Sequence, residues 1–108
     1  MASEQASLEI VEESDDVVVA RVAGDLDILT ADHVKAELSD RADGGLGRLV
    51  LDLREVGFVD SSGLGALVSL HRYVEARGGR FVLRSVPPPV MRLFEITRLD
   101  DLLVVEGG

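Results

Sequence analysis

Short apolar, β-rich runs alternate with segments of helical periodicity along almost the whole chain, and that alternation limits what it can fold into. Residues 8–11 and 17–23 read as two strands separated by the polar turn at 12–16, close enough to form a hairpin. Residues 24–27, Gly-Asp-Leu-Asp, break the pattern. From Thr30, an available N-cap, Ala31, Val34, Leu38 and Ala42 fall on one helical stripe, and the glycine-rich stretch at 43–47 stops it. Residues 48–53, RLVLDL, predict the next strand. A helix carrying Leu64, Leu67, Val68 and Val74 then runs to about Arg77, where Gly78 and Gly79 end it. Arg80–Arg84 reads as a strand, and the three prolines at 87–89 lead into a short helix with Val90, Leu93 and Phe94. Residues 102–105 close the chain as a strand or a helical tail.

The predicted order is β-β-α-β-α-β-α-β. It implies a single α/β domain with a mixed, mostly parallel sheet flanked by helices and an N-terminal β-hairpin. At 108 residues the chain is one domain, 1–108, with its core at about 8–105. An apolar fraction of 46% with 29% charged residues is that of an ordinary globular protein. Without cysteine there is no disulfide framework and no thiolate metal site. The first residues lack a basic segment followed by an apolar run, and no apolar stretch approaches the ~20 residues of a membrane helix. The expectation is a cytoplasmic protein without membrane insertion. A net charge of −9 argues against nucleic acid as a partner and favours a basic protein surface.

In parallel sheets, functional groups gather at the carboxyl ends of strands and the helix N-termini beside them. The loop at 25–27 and the turn at 60–65 both fall there. The turn reads DSSGLG, and four readings compete for it. In the structural one, Asp60, Ser61 or Ser62 caps the helix and Gly63 eases its entry. A nucleophile elbow would need glycine two positions before the serine, but Val59 and Asp60 stand there. The possible bases are His33 and His71, and His71 lies on the apolar stripe in an awkward direction for contact. Nucleotide binding lacks its fingerprint, because Gly63-x-Gly65 and Gly45-x-Gly47 each miss the remaining glycines. A phospho-aspartate site built from Asp25, Asp27, Asp52 and Asp60 would want a neutralising lysine, and Lys35, the sole lysine, lies in the first helix. No metal or other cofactor follows. The fourth reading makes a serine the substrate of a kinase, which is compatible with the cap because a phosphate would lie near the helix's positive end.

Three stretches, GDLDILTA at 24–31, LVLDLREVGFVDSSGLGALV at 49–68 and PPVMRLFEITRLDDLLVV at 88–105, resemble the STAS domain, specifically the bacterial anti-sigma factor antagonists. The resemblance implies a non-enzymatic partner switch in stress response or sporulation. In its unphosphorylated form such a protein binds an anti-sigma factor and releases the sigma factor. The anti-sigma factor is typically also the serine kinase that switches the antagonist off, and a phosphatase restores it. By the same resemblance the acceptor is Ser61, with Ser62 as backup. Asp60 orients the site, and Asp27 matches an acidic position on the binding face. Ser62, Gly63, Leu64 and Gly65 complete the contact surface. The alternative within the family is a scaffold subunit of a stress-signalling or lipid-transport complex without a phosphorylation switch. Relatives commonly read I-T-G-L where this chain has Ile96-Thr97-Arg98-Leu99. Glycine would suit a left-handed helix cap there, so either Arg98 bears a conformational cost or the helix ends differently. His33 and His71 receive no role.

Overall fold

A computed structural model describes residues 7–107. The expectation that no leader precedes the hairpin concerns residues 1–6 and lies outside the described residues. The elements are β1 (Ser7–Glu13), β2 (Val17–Leu26), α1 (Ala31–Ala42), β3 (Arg48–Val59), α2 (Ser61–Ala76), β4 (Arg80–Arg84), α3 (Pro88–Ile96), a 3₁₀ turn at Leu99–Asp101, and β5 (Val104–Glu106). The predicted order holds, and the final segment is a strand entered from the 3₁₀ turn. The sheet order is β1-β2-β3-β4-β5. β1 is antiparallel to β2, and every later pair is parallel.

Each parallel step moves one strand in the same direction across the sheet. With right-handed crossovers this puts every helix on the same face. The core shows it. Val34 and Leu38 of α1, Leu67 and Leu70 of α2, and Val90 and Phe94 of α3 all join one buried cluster with Val18, Ala20, Val22, Leu49, Leu51, Leu53, Phe81 and Leu83. The sheet is therefore flanked by α-helices on one side only.

The alternate residues of the strands form the other face, in rows set by the register. Val19, Val50, Val82 and Val104 stand side by side. The next row reads Glu9, Arg21, Asp52, Arg84 and Glu106, so the charges alternate in sign across all five strands. Opposite charges directly across neighbouring strands stabilise such a face. Asp52 is only 1% exposed. Burial works to raise its pKa, yet the Arg54 backbone N–H, the Arg54 guanidinium at 2.9 Å and the Arg21 charge outweigh it and hold the carboxyl below its ordinary value.

Two strands run further than the sequence pattern suggests. β2 continues through Gly24 and Asp25 to Leu26, and β3 continues through the polar residues Arg54 and Glu55 to Val59. Register shifts between Arg21 and Ala23, and between Gly24 and Leu26, absorb the irregularity, with Gly24 at φ +99°. Leu26, Val56 and Val59 are buried and keep both ends in place, while Arg54, Glu55, Gly57 and Phe58 are exposed. At the end of α3 Arg98 takes φ +65°, ψ +17°, so the left-handed geometry persists with arginine in it.

Candidate functional site

The extended pairing of Leu26 with Val59 brings two loops together at the carboxyl end of the sheet, one leading to α1 and the other to α2. Asp60 joins them. It is the N-cap of α2, in extended conformation, and its Oδ1 accepts the Gly63 N–H at 2.9 Å. Its Oδ2 accepts the Ile28 N–H from the other loop at 3.1 Å. One carboxylate thus caps a helix and pins a neighbouring loop. Of the three candidate caps, Asp60 is the one used.

The pinned loop has its own ties. Asp27 Oδ1 accepts the Leu29 N–H at 3.0 Å, and the Asp27 carbonyl accepts the N–H groups of Thr30 and Ala31. Thr30 sits at the N-cap position of α1, but its side chain does not cap that helix. The hydroxyl turns back into the loop instead, accepting the Asp27 N–H at 3.0 Å and donating to the Asp25 carbonyl at 2.8 Å. The nearly inaccessible Thr30 thus ties together the backbone of the loop rather than capping its own helix.

Ser61 is the first residue of α2 and is exposed; Ser62 is half-buried. Gly63 is buried, and a methyl group on it would collide with the Leu26 carbonyl. Its place in the site is therefore to let α2 approach the end of β2, rather than to present a surface. Leu64 is half-buried against the core, and Gly65 is exposed. Asp25, Asp27 and Asp60 are half-buried at this end, but Asp52 does not join them, because its side chain lies on the helix-free face with Arg21 and Arg54. Among the described residues, no three His, Cys, Asp or Glu side chains are grouped to hold a metal ion. His71 lies ten residues beyond Ser61, about 15 Å along the helix, with Nδ1 3.9 Å from Glu75.

Sequence reasoning missed the apolar part of this surface. Ile28 is 73% exposed, Leu29 79% and Phe58 52%. All three flank the Asp60 junction in the chain. Their signal was present, since an Ile-Leu pair between a strand and a helix cap has no core to enter. Large apolar residues left exposed at this end of the sheet are available to an interaction surface.

Comparison with known proteins agrees with this fold. The STAS domain family matches residues 10–106, and the chain belongs to that family. It is 36% identical over 103 residues to the anti-sigma-B factor antagonist of Listeria monocytogenes, covering 94% of this chain and 89% of that one. It is 30% identical over 102 residues to the anti-sigma-B factor antagonist of Bacillus subtilis, covering 91% and 93%. Among solved structures, the phosphorylated form of the Bacillus cell fate determinant SpoIIAA superposes with a TM-score of 0.70 at 26% identity, covering 94% of this chain and 90% of that one.

Proposed function

We propose that this protein is an anti-sigma factor antagonist whose hold on its partner is ended by phosphorylation of Ser61. The observation that carries the reading is an exposed serine at the first position of α2, next to Asp60, at the end of the sheet where Ile28, Leu29 and Phe58 are also exposed. The apolar residues supply a desolvated contact at its centre, and Asp25, Asp27 and Asp60 supply charge for a basic partner surface. The similarity to two anti-sigma-B factor antagonists over nearly their full length supports the same reading.

The switch follows from charge and position. A phosphate on Ser61 adds about −1.5 to −2 charges at neutral pH. The N-terminal N–H groups of α2 and the helix dipole stabilise it there, so the domain stays folded. Its charge stands next to Asp60, however, and its bulk stands where the partner would close over the apolar residues. The protein is thus the substrate of an anti-sigma factor with serine kinase activity and of a phosphatase. It acts in the cytoplasm and catalyses nothing itself. Ser62, half-buried one position on, is the poorer acceptor.

Incubation with the cognate anti-sigma kinase and ATP, followed by mass-spectrometric mapping, tests the site. Phosphate is expected on Ser61 and its incorporation is expected to vanish in Ser61→Ala. Equal incorporation into Ser61→Ala would overturn the assignment. Stable assembly into a larger complex with no modification by the kinase would instead favour a scaffold role.

A further inference from the structure

β3 is the longest strand among the described residues, and its two neighbours do not match it. β2 pairs with it as far as Leu26 and Val59, whereas β4 pairs with it only over residues 48–52. Residues 55–59 therefore present a free edge on the side where β4 has ended. Among the described residues no backbone hydrogen bond from another segment reaches that side. The chain that follows β4 leaves for α3 through Pro87, Pro88 and Pro89, which have no N–H to offer β3 carbonyls, and among the described residues Ser85 meets β3 only through the Arg54 side chain.

Beside this edge lies an apolar pocket of about 240 Å³, lined by Gly57, Phe58, Val59, Pro89, Val90 and Leu93. It is smaller than the roughly 300–1,000 Å³ that encloses a drug-sized molecule, so a single large side chain suits it better. An unpaired strand edge is complementary to another extended backbone, and a pocket alongside it selects one of that backbone's side chains. The surroundings set the charge of the occupant. Glu55 is exposed on the edge itself, Asp60 follows the end of β3, and Asp25 Oδ1 lies 3.6 Å from where a side chain on Gly57 would begin, while the guanidinium of Arg54 is taken up by Asp52 and Ser85. A second copy of this chain, carrying −9 itself, would meet repulsion here.

We propose that the overhanging end of β3 and its pocket receive an extended segment of a partner protein, with one large apolar residue flanked by basic ones, added as a strand alongside β3. Nothing in this contact requires Ser61 to be modified, so it stands or falls separately from the phosphorylation switch. Phe58, half exposed at the junction, would be covered by such a segment.

A short synthetic peptide alternating lysine and valine, with a central leucine, is the probe. Titrated into the isotopically labelled full chain, it should shift the amide resonances of residues 55–58 and slow their hydrogen exchange. Replacing the peptide's leucine with glycine should weaken binding roughly ten-fold or more, the loss expected for one buried apolar side chain. Pro89→Trp, which fills the pocket from an exposed position, should do the same. The proposal is overturned if the shifts fall on β1 or β5, if no binding occurs, or if neither change weakens it. It is also overturned if the same amides shift with protein concentration alone, because the occupant would then be a second copy.

Discussion

Arg98 and Gly63 show how single residues hold this fold at opposite energetic costs. Arg98 sits at φ +65°, where a side chain crowds the backbone at a cost of roughly 1–2 kcal/mol. Glycine removes the strain but gains freedom in the unfolded chain, so Arg98→Gly should stabilise the protein by about 0.5–1 kcal/mol net. Urea unfolding measures it, and a loss of stability would show that the arginine side chain makes a compensating contact. Gly63→Ala should act in the other direction. Its methyl group meets the Leu26 carbonyl, and the clash should cost about 1–3 kcal/mol by the same measurement. Both positions were visible in the sequence, one as a departure from the family's I-T-G-L and the other as the glycine of DSSGLG. The reason for Gly63 was not visible, because Leu26 lies far from it in the chain and meets it only through the sheet.

At the scale of elements, helix periodicity was legible and strand length was not. The stripe Ala31-Val34-Leu38-Ala42 lies buried as its spacing predicts; of Leu64, Leu67, Val68 and Val74, Leu67 and Val74 are buried and Leu64 and Val68 half-buried. β2 and β3 outran the pattern because Asp25, Arg54 and Glu55 look like loop residues until register shifts place them at the surface of a continuing strand. The extra length carries the site. It sets the loops to α1 and α2 side by side, where Asp60 bridges them. Asp60→Ala should therefore cost about 0.5–2 kcal/mol through the lost cap and also release the loop. Hydrogen exchange gives the second readout, with faster exchange expected at the Ile28 amide. Unchanged protection at Ile28 would show that Asp27 and Thr30 hold the loop without it.

For the whole molecule, the sequential strand order leaves a sheet with helices on one side and a valine row beside an alternating-charge row on the other. Neither row was legible, because each is a property of cross-strand register rather than of any one segment. Asp52 anchors the charged row. Its folded pKa lies below the ordinary value of 3.8, so its stabilisation is complete above that value and is lost as pH falls through the lower, folded one. Asp52→Asn should cost about 2 kcal/mol at neutral pH and leave a shallower fall in stability below about pH 4, as followed by urea midpoints across pH. An unchanged acid slope would place the sensitivity in other carboxylates. On the opposite side of these packing terms lies the function proposed for the Ser61 end, where one charge change decides association without unfolding the domain. The measurement that bears on it most directly is calorimetric titration of the anti-sigma kinase with unphosphorylated and Ser61-phosphorylated protein, with circular dichroism of both forms. The account predicts the same fold in both and a loss of affinity of at least about ten-fold on phosphorylation, equivalent to about 1.4 kcal/mol. Equal affinity with the fold intact would contradict it.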